Sequence, residues 1–233
     1  MNLNWMNALL EIVFEHNDWL IALKPAGMNF HSEEGELGFV VQLEKQVNLK
    51  LWPVHRLDKL TSGLLVLAKS KESCRVLSEI FAQRLVEKYY LAVCSSNMKK
   101  KQGLIKGDMA QARRGAFKLL KTLDNPAITQ FLSVSLLPGY RLCLLKPKTG
   151  KTHQLRVALK SLGSPIEGDA LYGGNTADRL YLHSYVLGFE YKNEVYKFQK
   201  MPEPSHLFEK DKLESLLKTQ NWIEPWSLKW PVV

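Results

Sequence analysis

The amino-acid sequence predicts an α+β fold with a mixed, mainly antiparallel central sheet flanked by helices. Strand-like runs follow one another with few helical segments between them, which does not fit the alternating βαβα pattern of a doubly wound parallel sheet. Hydrophobic residues make up 45% of the 233-residue chain, enough for a substantial core, and no Pro/Gly/Ser-rich linker divides it. We therefore expect a single domain over residues 1–233.

The first elements are predicted by apolar runs that end at turn residues. EIVFEH and DWLIALKP form a hairpin whose second strand ends at Pro25, with Gly27 turning the chain. GLLVLAKS is a buried strand, and Ser70 is placed to cap a helix that ends near Arg84. The apolar face of this helix consists of Cys74, Val76, Leu77, Ile80 and Phe81.

The second half of the chain has the same mixture of strands and occasional helices. Its strand-like runs are KYYLAVCS, AFKLLKTL, ITQFLSVSLL, YRLCLLKP, YLHSYVLGFEY and VYKFQK. KTHQLRVALKSLG places Leu155, Leu159 and Leu162 on one helical face and stops at Gly163. A last amphipathic helix is expected over residues 209–218.

The net charge favours a polyanionic partner. The chain has 32 Lys and Arg against 23 Asp and Glu, which gives +9 and a pI near 9.4. Such a positive field attracts nucleic acids. The apolar runs are about five residues long, far short of the roughly 20 that span a bilayer, and the N-terminus does not have the pattern of a secretory signal. We expect a cytoplasmic protein without membrane contact.

Two other kinds of chemistry find little support. GKT at 150–152 is similar to the end of a phosphate-binding loop, but position 145 is Leu where that loop needs its first glycine. The histidines show no HExxH pattern, and the three cysteines are widely spaced. We therefore expect no metal site, no cofactor and no disulfide framework.

The segment HRLDKLTSG places charged residues between two apolar runs. Asp58 follows a strand, where an aspartate commonly caps backbone amides, and residues 61–63 can form an ordinary turn around it. A functional carboxylate in a partly buried cleft would instead need a cationic partner, which lowers its pKa against the effect of desolvation. The candidate partners are Arg56, Lys59 and Arg156.

Four segments in the same order resemble those of one enzyme family. VHRLDKLTSGLLVLAKS resembles the signature of the RluA-type pseudouridine synthases, which isomerise uridine in ribosomal or transfer RNA. ALKPAGMNFH, EKYYLAVC and TGKTHQLRVALKSLGSPIEGDALYGG resemble further family segments, and RLYLHSYVLGFEY continues the match. The resemblance implies the pseudouridine synthase fold and an RNA partner. We expect a monomer without a protein partner.

The resemblance also implies roles for residues at the matching positions. Asp58 would be the catalytic carboxylate, Tyr90 would stack on the target uracil, and Arg156 would pair with Asp58. Arg56 would enter the RNA stack in place of the displaced nucleotide, and a planar guanidinium suits that role. Further RNA contacts are expected from His55, Thr61, Lys146, Lys148, Lys151 and His153.

The implied reaction breaks the bond between N1 and C1′, turns the uracil and joins C5 to C1′. Asp58 would either attack C1′ covalently or abstract a ribose proton to give a glycal, and both routes stay open. Neither route needs a metal or a redox cofactor.

The chain departs from the family pattern at several positions. Its first matching strand starts near residue 11, so we expect no separate small N-terminal S4-like RNA-binding domain of the kind that many relatives carry. Lys151, Ala158 and Leu60 stand where relatives commonly have other residues, so these positions weaken any assignment of the target uridine.

Two rival functions are alternatives to the synthase. A metal-dependent nuclease would use Asp58 and Asp169, but no clustered carboxylate motif appears, and Asp169 is expected to form a turn. A non-catalytic RNA-binding module would have kept only the fold, whereas Asp58, Tyr90 and Arg156 are all present. The synthase is the preferred hypothesis.

Overall fold

The computed structural model of the chain describes residues 9–33 and 35–232. The strands in these residues are β1 (Ile12–Glu15), β2 (Trp19–Lys24), β3 (Trp52–Pro53), β4 (Ser62–Ala68), β5 (Glu87–Ser95), β6 (Gln102–Gly107), β7 (Met109–Gln111), β8 (Phe117–Leu119), β9 (Ala127–Leu137), β10 (Tyr140–Pro147), β11 (Leu182–Tyr191) and β12 (Glu194–Gln199). The helices are α1 (Phe39–Val47), α2 (Lys71–Ala82), α3 (Gln154–Ser161) and α4 (Lys210–Thr219). The predicted α+β class with a mixed, mainly antiparallel sheet is confirmed.

The chain is organised into two compact units. Of the described residues, the first unit contains those up to Val86 together with Leu187–Lys200, and the second contains Glu87–Val186 together with residues 201–232. The long strand β11 starts in the second unit and ends in the first. Among the described residues, no helix has the length and apolar character needed to cross a lipid bilayer.

The core of the first unit is built from two strands that are buried along their whole length. Every residue of β2 and β4 is buried, and the two strands pair antiparallel from Trp19 opposite Ala68 to Lys24 opposite Gly63. Trp19 is fully buried and meets the ring of Phe189 edge to face, with the ring centroids 5.2 Å apart. The rest of this core consists of Ile21, Leu64, Val66, Ala68, Leu77, Val86, Leu187 and Tyr191.

Helix α2 begins at the predicted cap. The Ser70 hydroxyl accepts a hydrogen bond from the Ser73 N–H at 3.1 Å, and the Ser73 hydroxyl accepts one from the Ser70 N–H at 3.2 Å. This reciprocal pair satisfies donors that the first turn leaves without a helical partner. The helix is capped at Gln83, close to the predicted end, and Leu77 packs into the core.

In the second unit the strands follow the order β5-β10-β9-β6, and each neighbouring pair is antiparallel. Strands β7 and β8 form a separate two-stranded sheet. The predicted strand AFKLLKTL is shorter than expected, because only Phe117–Leu119 is paired. Helix α1 and strand β6 were not predicted.

Helix α3 confirms the predicted apolar face and the predicted stop. Leu155 and Leu159 are buried, and the chain leaves the helix at Leu162, before Gly163 with a φ of +78°. Glycine adopts this left-handed conformation without the steric cost that a side chain adds. Helix α4 confirms the last predicted helix and buries Leu213 and Leu217.

We expect Ser70→Ala to lower the free energy of unfolding by about 1 kcal/mol, because it removes the acceptor for the Ser73 N–H. Ser70→Asp keeps an acceptor at this position and should retain most of the stability. Urea unfolding followed by circular dichroism would measure both variants. Equal losses in the two variants would show that the lost stability does not come from the missing hydrogen-bond acceptor.

Candidate active site

Asp58 lies in the loop between β3 and β4 of the first unit. Its side chain is half-buried, and its backbone carbonyl accepts a hydrogen bond from the Thr61 N–H at 3.0 Å, which closes a turn. Thr61 itself is only 2% exposed. The chain neighbours of Asp58 differ in exposure: Leu57 is buried and Lys59 is exposed. Asp58 therefore lies where the chain passes from the interior to the surface.

A buried lysine fixes the backbone of this loop. Lys24 is 0% exposed, and its Nζ donates to the carbonyl oxygens of Lys59 at 2.8 Å, Thr61 at 2.9 Å and Pro25 at 3.0 Å. An ammonium group has three N–H donors, and burying it without partners would be costly. Because two of the three acceptors, Lys59 and Thr61, closely follow Asp58 in sequence, Lys24 sets the path of the backbone next to the carboxylate.

The other two charged or aromatic residues of the HRLD segment have different surroundings. Nε2 of His55 accepts the Val66 N–H at 3.2 Å, and the ring stacks on Phe81 with centroids 4.5 Å apart. Arg56 is exposed. His55 therefore has a structural role in the first unit, and its contact with RNA stays a prediction, as does that of Arg56.

In the second unit, Arg156 is held by a buried ion pair that the sequence did not predict. Its Nε and Nη2 each donate to one carboxylate oxygen of Asp169, both at 2.8 Å. Arg156 is 4% exposed and Asp169 is 0% exposed. A bidentate pair of this kind fixes both the charge and the plane of the guanidinium. The pairing of Arg156 with Asp58 stays a prediction.

Asp169 also forms the predicted turn. Its backbone carbonyl accepts the N–H groups of Tyr172 and Gly174 at 3.1 and 2.9 Å. The preceding residue, Gly168, has a φ of +79°, and a Cβ at this position would lie 1.9 Å from the Arg179 carbonyl oxygen. Glycine is required at position 168 because the Arg179 backbone passes so close. The tight path of the chain here places the Asp169 carboxylate next to Arg156.

The start of α3 is fixed to β9 by a second buried polar group. The Gln154 side chain accepts hydrogen bonds from the Thr149 hydroxyl at 2.7 Å and the Lys151 N–H at 3.0 Å. It donates to the Ile128 carbonyl and the Thr129 hydroxyl, both at 3.0 Å. Its amide therefore gives the helix carrying Arg156 a defined position on the sheet.

His153 and Tyr172 make a further link at this helix. His153 has a φ of +57°, an uncommon conformation for a residue with a side chain. Its Nδ1 lies 2.9 Å from the Tyr172 hydroxyl. The Tyr172 ring lies beneath the Arg156 guanidinium, 4.9 Å from its central carbon. The predicted contact of His153 with RNA stays a prediction.

Tyr90 lies on β5, opposite Leu145 of β10, and is 9% exposed. Lys88 is on the same face two residues earlier, since side chains alternate along a strand. Burial lowers the pKa of Lys88, because the charged ammonium is less well solvated there. This face of β5 thus presents an aromatic ring beside an amine with an altered pKa.

The three predicted phosphate-binding lysines have different surroundings. The Lys146 ammonium lies over the rings of Tyr89 and Trp230, 5.1 and 5.5 Å from their centroids, on the face of the sheet opposite to Tyr90. Lys148 is exposed and Lys151 is half-buried. Their contacts with RNA stay predictions.

The geometry of Asp169 disfavours the nuclease hypothesis. Both carboxylate oxygens of Asp169 accept hydrogen bonds from Arg156, so a divalent cation there would face a guanidinium. Within residues 9–33 and 35–232, no three His, Cys, Asp or Glu side chains are grouped closely enough to hold a metal ion.

Sequence reasoning missed three residues that position the candidate groups: Lys24, Asp169 and Tyr172. Lys24 carried a usable signal, because it is the one charge in the apolar run WLIALK. Asp169 carried a weaker signal, since an arginine on a helix with an apolar face needs an anion nearby. Tyr172 carried no signal that separates it from a core aromatic residue.

Comparison with known proteins places these residues in one family. Residues 18–161 match the RNA pseudouridylate synthase family, and Asp58, Tyr90 and Arg156 lie in this range. A Haemophilus influenzae protein described as an uncharacterized RNA pseudouridine synthase is 53% identical over 196 residues, which cover 83% of this chain and 88% of that protein.

Two further relatives have more specific names. The ribosomal large subunit pseudouridine synthase D of Borreliella burgdorferi is 33% identical, and the match covers 82% of this chain and 65% of that protein. The tRNA pseudouridine synthase C of Haemophilus ducreyi is 31% identical, with coverage of 81% and 88%.

The fold is shared with a solved structure. Human RNA pseudouridylate synthase domain containing 1 superimposes with a TM-score of 0.74 at 24% identity, covering 91% of this chain and 95% of that one. This likeness confirms the predicted pseudouridine synthase fold. Taken with the family match over residues 18–161 and the relative at 53% identity, it shows that the chain belongs to the RNA pseudouridylate synthase family, whose members are isomerases.

Proposed function

We propose that this chain isomerises uridine to pseudouridine in ribosomal or transfer RNA, with Asp58 as the catalytic carboxylate. The observation that carries the proposal is that Asp58, Tyr90 and Arg156 all lie in the segment that matches the family, 18–161. The names of two relatives, one a ribosomal and one a transfer RNA enzyme, support these two RNA classes as substrates.

Asp58 acts on the ribose of the target nucleotide. Its carboxylate either attacks C1′ and displaces N1 of the uracil, or removes a ribose proton and so drives the same cleavage through a glycal. The uracil then turns and C5 bonds to C1′. In the first route this displaces the Asp58 carboxylate from C1′, and in the glycal route Asp58 returns the proton to the ribose. The C5 proton leaves and N1 gains a proton. Atoms and charge balance without a co-reactant, as an isomerisation requires. The backbone contacts of Lys24 support a fixed carboxylate in this role.

Arg156 supplies the positive charge that pairs with Asp58 and orients its carboxylate. An opposite charge at hydrogen-bond distance lowers the pKa of a carboxyl group and opposes the effect of desolvation. Arg156 suits this role because its guanidinium is buried, fixed in plane by Asp169 and charged at every physiological pH. The proposal requires Asp58 and Arg156 to meet in the working enzyme.

Tyr90 provides the surface against which the uracil stacks. An aromatic ring offers a flat apolar face, and its hydroxyl can move a proton from C5. The small exposed fraction of Tyr90, 9%, suits a pocket wall that is covered further when the base enters.

Arg56 takes the place of the extruded nucleotide. Chemistry on a base requires its removal from the stack, which costs a few kcal/mol. An exposed, planar guanidinium can stack or bind phosphate in the vacated space. Lys148 and Lys151 add phosphate contacts that do not depend on sequence and that weaken as salt is raised.

We expect Asp58→Ala to abolish isomerisation while RNA binding and folding are retained, because the change removes only the reacting carboxylate. Tritium release from C5-labelled RNA transcripts would measure the reaction, and filter binding would measure affinity. Glu190→Ala, which removes an exposed carboxylate of the first unit, is the matched control and should react normally. Full activity of Asp58→Ala would refute the assignment.

Arg156→Leu should disable the enzyme and also destabilise it by about 3–5 kcal/mol, because Asp169 would remain buried without its partner. Urea unfolding measures the second effect, and isomerisation by the folded fraction measures the first. Arg156→Lys keeps the charge but loses the bidentate geometry. Its rate of isomerisation and its free energy of unfolding should therefore both lie between those of the wild type and those of Arg156→Leu.

The control for this pair of measurements is Arg75→Leu. Arg75 makes ion pairs with Glu72 and Glu79, but its side chain is 60% exposed. Exposed ion pairs contribute little to the free energy of unfolding, so this variant should unfold and react much as the wild type does. An Arg156→Leu protein with normal turnover would show that Asp58 obtains its counter-charge elsewhere.

A further inference from the structure

The second unit contains a basic hairpin formed by β7 and β8. Residues 109–121 include four cations and no Asp or Glu. The cations are Arg113, Arg114, Lys118 and Lys121. Arg113 and Arg114 are exposed at the turn, and Arg114 has a φ of +56°. A two-stranded hairpin is marginally stable by itself, so its position depends on where it is attached.

One attachment is at the base of the hairpin. The backbone of Asp108 bonds to Thr122 and Leu120 at 2.9 and 2.8 Å. The Asp108 carboxylate also accepts the N–H groups of Asp124 and Asn125 at 3.0 and 2.8 Å. These contacts hold the base of the hairpin to its own connecting segments.

Tyr172 provides an attachment above the base. Its hydroxyl accepts the N–H of Phe117, the first residue of β8, at 2.9 Å. The same hydroxyl lies 2.9 Å from Nδ1 of His153, which directly precedes α3. The Phe117 ring also meets the His153 ring edge to face, with centroids 5.7 Å apart.

The ring of Tyr172 continues this connection to Arg156. The guanidinium lies over the ring at 4.9 Å and is held along its edge by Asp169, which accepts from Nε and Nη2. Tyr172 is 5% exposed, so its position is determined by packing. One buried side chain therefore touches the hairpin backbone, the residue preceding α3 and the guanidinium that the proposed function assigns to Asp58.

We infer that Tyr172 is a positioning residue that couples RNA contact at the β7–β8 hairpin to the orientation of Arg156. The inference rests on the proposed function. Phosphates attract Arg113 and Arg114 and draw the hairpin toward the RNA. The Phe117 N–H transmits this shift to the Tyr172 hydroxyl, and the tightly packed ring transmits it to the guanidinium.

The first test is Tyr172→Phe, which removes the hydroxyl and leaves the ring under Arg156. We expect kcat for unmodified ribosomal and transfer RNA transcripts to fall about tenfold while KM is unchanged, because the hairpin cations still bind RNA. Tyr140→Phe removes another half-buried hydroxyl of the same unit and is the matched control with normal kinetics. A normal kcat for Tyr172→Phe would overturn the inference.

A double-mutant cycle separates coupling from a merely structural role. Arg113→Ala with Arg114→Ala should lower kcat and raise KM in the wild type, but should raise only KM when Tyr172→Phe is already present. Independent, additive effects on kcat would show that Tyr172 does not connect the hairpin to the reaction, and would overturn the inference.

Hydrogen exchange gives a result that does not depend on activity. RNA binding should slow exchange in residues 109–119 and 154–161 of the wild type, but only in 109–119 of Tyr172→Phe. The same response of both proteins, or no slowing in 109–119, would overturn the inference. A wild type that binds RNA with the expected exchange pattern but does not isomerise uridine would refute the proposed function alone.

Discussion

The buried ion pair between Arg156 and Asp169 is the constraint on which the second unit depends. Neither charge can be left alone in the interior without a cost of about 3–5 kcal/mol, so α3 and the turn that carries Asp169 are fixed relative to each other. Lys24 has a similar effect in the first unit. Its buried ammonium donates to three carbonyl oxygens, and these hydrogen bonds fix the loop that carries Asp58. In both units a buried charge sets the position of a residue with a proposed role in catalysis.

The local sequence predicted the elements that have a clear apolar run or a capping residue. Strands β2 and β4 are apolar runs buried at every residue, and α2 begins at a serine cap. Helix α1 starts at Gly38 without a side-chain cap, so no signal marked its beginning. Strand β8 is shorter than its apolar pattern suggested, because the β7–β8 sheet has two strands and pairing stops at Leu119.

The candidate site was predictable only where its residues stand in recognisable segments. Asp58, Tyr90 and Arg156 each lie in such a segment. The groups that position them act across the fold: Lys24 reaches a carbonyl 35 residues away, and Arg156 finds its anion 13 residues away. These partners are set by how strands and turns pack, which local propensity does not encode.

The most direct test of this account is the rate of uridine isomerisation by Asp169→Asn at saturating RNA in a single turnover. The variant keeps the shape of the side chain but removes the charge that fixes Arg156. We expect a rate lower by about tenfold or more in the folded protein, with RNA affinity unchanged, because the guanidinium loses its fixed orientation. A folded Asp169→Asn protein that reacts at the wild-type rate would contradict it.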